Sequence, residues 1–234
     1  MAVRWLRLYR AEAAPPYEEA IAAARARGLE PAGGFSLTLE ERDASAKSSP
    51  SLFPVFDQGD PTAVPYDPAL IRLNAIGGYL WRSPGEWVAW ELEVPADGLY
   101  LVGIKAKQDR AAGSYSTRRL LVDGKAPFAE AEAVRFTFSS AYRMYTLEAD
   151  GEPLLVPLAR GRHELRLEVV LGDLADVLRD TEAVLLALNA VYRQVIVVTS
   201  PTPDPLRTYQ LAERIPATLE AMGTQRDRLM EIAD

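Results

Sequence analysis

Four aromatic side chains, Tyr79, Trp81, Trp87 and Trp90, lie within a dozen residues of one another. Flat aromatic faces suit the C–H surface of a pyranose, and planar polar groups suit its hydroxyls, so this is the first place where recognition chemistry could sit. In "GEWVAWELEV" Trp87 and Trp90 are three apart, which on a strand puts them on opposite faces. Trp90 shares parity with Leu92 and Val94 and reads as core, leaving Trp87 for the other face or an edge. Tyr79 and Trp81 follow a Gly-Gly turn and are candidate ligand-binding aromatics, with packing beneath a loop as the alternative.

A second constellation is Gln108, Asp109, Arg110, Tyr115 and Arg118, around a Gly-containing loop between two predicted strands. Loops at the end of a sandwich commonly recognise ligands, and amide and guanidinium groups donate well to hydroxyls and carboxylates. Gln108, Tyr115 and Arg118 therefore join Tyr79 and Trp81 as candidate ligand-binding residues. The alternative is a solvated ion pair at Arg118 or Arg119, with Tyr115 covering loop surface.

Catalytic constellations are missing from the sequence pattern. His163, the single histidine, stands at a strand entrance in "RGRHEL", where it reads as a turn or edge residue and cannot form a multi-histidine metal site. There is no "GxSxG" elbow, no "GxxxxGK[ST]" loop, no strand-linked "GxGxxG" and no "HExxH". Glycoside hydrolysis needs only two carboxylates in a cleft, and the 33 acidic residues offer many pairs that sequence does not place. The expectation is a protein that is not an enzyme.

The 234 residues carry a formal net charge of −7, with a pI near 5.0, which provides no basic face for nucleic acid. The absence of cysteine removes disulfides, thiolate nucleophiles and cysteine zinc sites. Met1 to Arg10 lacks the apolar stretch of a signal peptide, and no run approaches the roughly 20 apolar residues of a membrane span, so no membrane contact is expected.

The elements that must position these residues follow from periodicity. After Pro15 and Pro16, the segment Tyr17 to Arg27 has helical spacing and ends before Gly28. After "PAGG", Phe35, Leu37 and Leu39 alternate with polar residues, predicting a first strand. Residues 45–67, rich in Ser, Pro, Asp and Gly, read as a long loop. From Leu70 come short alternating runs ("IRLN", "EWVAWELEV", "LYLVGIKAK", "RRLLV", "RMYTLEA", "PLLVPL", "HELRLEVVL") separated by turn signals, a pattern for an antiparallel sandwich or jelly roll. Asp123 and Gly124 in "VDGKAPF" predict a hairpin turn. After Gly172 a helix of period 3.6 runs through Tyr192, "QVIVVTS" reads as extended, and two helices divided near Pro216 follow from Leu206. Asn189, Tyr192 and Arg193 in "LNAVYR" read as a structural joint.

The run "NAIGGYLWRSPGEWVAWELEVPADGLYLVGIKAKQD", with "VDGKAPFAE" and "LNAVYR" in the same order and spacing, resembles the sandwich region of large bacterial extracellular solute-binding lipoproteins of sugar ABC transporters. The resemblance extends from about Leu39 to about Ile215. It implies a galactose-binding-like, carbohydrate-binding-module-like insert that is non-catalytic, binds an oligo- or polysaccharide, and is anchored at the cell surface through further domains of a parent protein. Related modules hold a structural calcium with early carboxylates, which here points to Glu40, Glu41 and Asp43; calcium accepts six to eight oxygens. The expected fold is thus mainly β, an antiparallel β-sandwich (jelly roll, galactose-binding-like) with N-terminal and C-terminal helices. Its segments are 1–34 (helical), 35–171 (sandwich) and 172–234 (helical). The competing functional expectation is a structural or protein-interaction spacer that positions solute-binding lobes, which an exposed apolar face around Leu219, Met222 and Leu229 would favour.

Overall fold

The computed structural model describes residues 13–67 and 69–233; the Met1–Arg10 reading lies outside them. The chain forms two compact units, Met1–Gly172 and Asp173–Asp234.

The first unit is built on antiparallel strand pairs. In chain order the strands are β1 (Ala44–Lys47), β2 (Pro54–Val55), β3 (Ala75–Ile76), β4 (Trp87–Val94), β5 (Gly98–Leu101), β6 (Gly103–Gln108) and β7 (Tyr115–Val122). They continue with β8 (Val134–Thr137), β9 (Ser139–Thr146), β10 (Glu148–Ala149), β11 (Glu152–Pro153), β12 (Leu155–Leu158) and β13 (Gly161–Val170). The five-stranded sheet has the order β1-β4-β13-β7-β8, so β13 sits at its centre, hydrogen-bonded on both edges. β12 pairs with β5 and β6 with β9.

The core joins these layers. Val94, Leu120, Phe136 and Leu167 from the large sheet are buried with Leu147, Leu154, Val156 and Leu158 from the opposite side. Along β7 the two-residue period puts Leu120 and Val122 on the core face, while Arg119 on the outer face bonds Glu132 and Glu168 at 3.1 and 3.0 Å. Trp90 packs on the core with its indole N–H donated to the Glu40 carbonyl at 3.0 Å, and Trp87 carries the Arg166 guanidinium 4.1 Å above its ring. Both tryptophans thus take the faces their parity predicts.

Helix α1 (Tyr17–Ala26) is part of this core rather than an appendage. The Tyr17 ring meets Phe128 edge-on at 5.0 Å, its hydroxyl accepts the Leu155 N–H at 3.2 Å, and Ile21 and Ala24 pack on Leu99.

Three sequence expectations are corrected. Residues 35–39 form no strand: Phe35 and Leu37 are exposed, with the Phe35 ring 5.9 Å from that of Tyr100. Alternation makes a strand only where an edge is available to pair with. "IRLN" likewise forms no strand: the neighbouring ladder starts at Ala75, preceded by the Asn74 N–H donated to the Val55 carbonyl at 3.0 Å. "QVIVVT" is not extended but completes a 26-residue helix, α2 (Leu174–Thr199), because nothing before Ser200 and Pro201 interrupts the backbone ladder. By length and composition alone that helix is long and apolar enough to cross a membrane, although Asn189, Arg193 and Gln194 interrupt its apolar residues.

The second unit contains α2, the short α3 (Leu211–Arg214) and α4 (Pro216–Ala233), with Pro216 opening α4 as its sequence suggests. α2 and α4 pack together antiparallel: Thr218 bonds Gln194, while Asp176 and Asp180 near the start of α2 line a shallow cleft with Arg228 and Glu231 near the end of α4.

The Asp123–Gly124 turn forms as predicted. Both residues have positive φ, 51° and 79°, and Val122 and Lys125 exchange bonds of 2.8 and 3.0 Å. Asp123 accepts the Glu164 N–H at 2.9 Å and lies 2.7 Å from His163 Nδ1, while His163 Nε2 lies 2.8 Å from the Ala159 carbonyl. Burial opposes both charges, yet the mutual bond and these backbone partners raise the His163 pKa above 6.5 and lower that of Asp123 below 3.8. The histidine contribution is complete below its unfolded pKa and fades as pH rises through the folded value; the aspartate contribution is present above 3.8 and fades as pH falls through its lowered value. The thermal stability advantage of the native chain over His163→Gln should therefore peak between about pH 4 and 6.5 and narrow by pH 8. A difference in Tm that is flat from pH 5 to 8 would remove the charged pair.

Candidate functional site

Arg118 shares the inward-facing parity of Leu120 and Val122, so strand geometry delivers a cation to the end of the core. Its guanidinium lies 4.8 Å from the Trp81 ring, donates to the Trp81 carbonyl at 2.9 Å and to the Thr117 carbonyl at 3.0 Å. Burial pushes its pKa down to about 10, with Glu86 opposing, so it stays charged at neutral pH.

The segment 77–86 is organised around that cation. The Trp81 indole N–H donates to the Glu86 carbonyl at 3.1 Å, and the Glu86 carboxylate accepts the N–H groups of Arg82 and Ser83 at 3.2 and 2.9 Å. Gly77, at φ 109°, begins the turn; a Cβ there would lie 2.8 Å from the Trp81 ring. The result is a fixed platform on which Tyr79 stands 56% exposed. The Arg82 guanidinium stacks 3.9 Å from the Tyr79 ring centre, and that of Arg110, from the loop after β6, lies at 5.8 Å. Cation–π attraction of this kind contributes about 0.5–1 kcal/mol at an exposed site.

The structure thus unites Tyr79, Trp81 and Arg118 and adds Arg110 and Arg82. Trp81 is the floor of the site rather than its surface. Gln108 is committed to the loop itself: its carbonyl accepts the N–H groups of Arg110 and Ala111, both at 2.9 Å, and its amide donates to Ala111 and Ser114 carbonyls. It shapes the loop that carries Arg110. Tyr115 belongs to the other face of β7, where Arg135 stands 4.9 Å from its ring. Arg82 escaped the sequence reading; its signal was its position three residues after Tyr79 in a turn-rich segment.

Glu40, Glu41 and Asp43 do not converge. The Asp43 carboxylate accepts the Glu40 N–H at 2.8 Å, closing a single 3₁₀ turn, and the Glu40 carboxylate pairs with Arg42 at 2.6 Å. Among the described residues no group of three or more acidic or histidine side chains is arranged to hold a metal ion.

A polar cluster that sequence did not reveal pins the long loop to β6 and β9. Asp60 accepts the N–H groups of Thr62 and Tyr142, both at 2.8 Å, and bonds from Thr62 and Tyr142 hold its carboxyl down to about 2. Asp57 pairs with Lys107 and accepts the Tyr142 hydroxyl at 3.1 Å.

No family model matches the chain, and no curated protein sequence does. Solved structures do. A family 35 carbohydrate-binding module from Clostridium thermocellum overlaps with a TM-score of 0.33 and 14% identity, covering 41% of this chain and 65% of that module. One from an environmental isolate overlaps with a TM-score of 0.37 and 15% identity, covering 57% and 82% of the two chains. A GH26-CBM35 β-(1,4)-mannanase from Podospora anserina gives 0.39 and 14%, covering 58% of this chain and 24% of that enzyme.

The platform and its rim should separate by mutation. Arg118→Leu takes the guanidinium donor from the Trp81 carbonyl and the cation from its ring, and should cost about 2–3 kcal/mol with a red shift of tryptophan emission. Arg82→Ala, at an exposed position, should cost no more than about 1 kcal/mol, the size of the cation–π contact it loses. Chemical denaturation followed by fluorescence measures both; equal effects would dissolve the distinction.

Proposed function

We propose that the sandwich unit is a non-catalytic carbohydrate-binding module that captures an oligo- or polysaccharide at the cell surface. The observation that carries the reading is Tyr79, an exposed aromatic ring on a rigid platform, with the Arg82 and Arg110 guanidinium groups at 3.9 and 5.8 Å. The ring offers apolar surface to saccharide C–H groups, and the guanidinium groups offer donors to hydroxyls and carboxylates. The resemblance to the sandwich region of bacterial solute-binding lipoproteins supports the same reading and extends it to an extracellular location and a parent protein with further domains. His163, the one imidazole in the chain, is held between Asp123 and Ala159 and is not positioned to serve as a general base.

A second reading assigns the helical unit a structural or protein-interaction role within the parent protein. It is favoured by the exposed side chains of Met222, Leu229 and Met230 on α4, although Leu219 is half-buried.

A glycan-array screen in calcium and in EDTA, followed by calorimetry on each hit, tests the first reading. Saturable binding that falls at least about tenfold, or 1.4 kcal/mol, on Tyr79→Ala and on Arg82→Ala is expected. Native-like titrations from both variants would remove the site. Binding lost in EDTA would show that a cation takes part, and silence across plant, bacterial and uronate glycans would leave the interaction reading.

A further inference from the structure

Arg110 is the least constrained cation of the candidate site. Its side chain is 72% exposed, and its guanidinium stands 5.8 Å from the Tyr79 ring. Cation–π attraction at an exposed ring is weaker than the rotamer freedom an arginine gives up on being fixed, so the ring alone does not hold it there.

A line of alternating charge does reach it. Gln108 settles the backbone, its side-chain carbonyl accepting the Arg110 N–H at 2.9 Å, and Oδ1 of Asp109 lies 3.5 Å from Arg110 Nε. The other oxygen of that carboxylate lies 3.6 Å from Lys107 Nζ, and the same ammonium pairs with Asp57. Lys107 and Asp57 are sheltered, their side chains 16 and 15% exposed. Asp57 is fixed from the long loop: its N–H donates to the Asn74 side chain at 2.8 Å, and its carboxylate accepts the Gly59 N–H at 2.8 Å and the Tyr142 hydroxyl at 3.1 Å.

We infer that Lys107 is a positioning residue that, held by the long loop through Asp57, fixes Asp109 so that Asp109 aims Arg110 at Tyr79, a role that rests on reading that ring and its cations as the recognition site. Two carboxylates converge on one ammonium. Without the ammonium they repel, and Asp109 turns away from its place beside Arg110; with Asp57 made neutral, the ammonium is left to Asp109, which is drawn from Arg110. Isolated surface ion pairs contribute little because each must order two flexible side chains. Here the bonds to Asp57 and Gln108 have already ordered both ends, and only the Arg110 side chain remains to be placed. The long loop thereby sets the spacing between the apolar ring and the donor beside it, which a bound sugar has to match. Arg82 reaches the same ring from its own turn, 3.9 Å away with its N–H donated to Glu86, and so reports on the ring independently of the line.

The first step of the test needs no ligand. The Tyr79 ring current shifts the side-chain proton resonances of Arg82 and Arg110, and Tyr79→Leu identifies that shift by abolishing it. Lys107→Met and the isosteric Asp109→Asn should each move the Arg110 resonances to their Tyr79→Leu positions while leaving those of Arg82 in place, and Lys107→Arg should restore Arg110. Asp109→Asn leaves the Lys107–Asp57 pair intact and decides the matter where Lys107→Met does not fold. On a glycan that binds the native chain, Lys107→Met should weaken affinity at least about threefold, the small end of coupling within one ion-pair network, and add nothing in an Arg110→Ala background. Unmoved Arg110 resonances in the folded variants, equal displacement of Arg82 and Arg110, or the same loss of affinity with and without Arg110 would overturn the proposal. Displaced Arg110 resonances in a chain that binds no glycan would uphold the line of charge and overturn the sugar reading alone.

Discussion

A strand's two-residue period leaves Arg118 no choice of side. With Leu120 and Val122 committed to the core, residue 118 must also point inward, and a guanidinium there has to be sheltered and bonded at once. Trp81 supplies the ring and the carbonyl, Glu86 answers the charge from nearby, and the turn at Gly77 allows the approach. The exposed part of the site, Tyr79 with Arg82, is what this arrangement holds out to solvent. The exposed pair at the rim is thus a by-product of sheltering a charge beneath it.

The division between the two units follows the same logic of periods. Up to Gly172 the chain buries surface with alternating strands, and afterwards with helical stripes. The strand unit contains its own core and borrows α1 to complete it. The helical unit is two long helices with a connector, and two helices can cover only one stripe of each other, which is why α2 is left with apolar surface.

Much of this was legible in the sequence. The Asp123–Gly124 hairpin, the opposite faces of Trp87 and Trp90, and the break at Pro216 rest on local chemistry that tertiary context reinforced. Phe35 to Leu39 failed because alternation says which face is apolar but not whether a neighbouring edge exists. "QVIVV" failed because β-branched residues are neutral once a helix is already running, and nothing stops it before Ser200. Of the candidate residues, Trp81 and Arg118 lie against one another with Tyr79 at the same turn, a proximity sequence could not reveal. Gln108 was chosen for what it could donate, and its donors and acceptor are spent on its own loop. The Asp57–Lys107–Tyr142 cluster links positions 85 residues apart, a separation no local pattern signals.

The place of β13 has a consequence in time. The middle strand of the five-stranded sheet is the last of its strands to be synthesised, so β4 and β7 must wait with open edges until Gly161 to Val170 arrives between them. Pairings over such sequence separation slow folding, because loop closure has to be completed before the contacts reward it. The open edges of β4 and β7 are, until then, templates for other chains. A truncation before Gly161 would therefore yield an aggregating chain rather than a smaller domain, and the sheet's integrity is decided late, by ten residues.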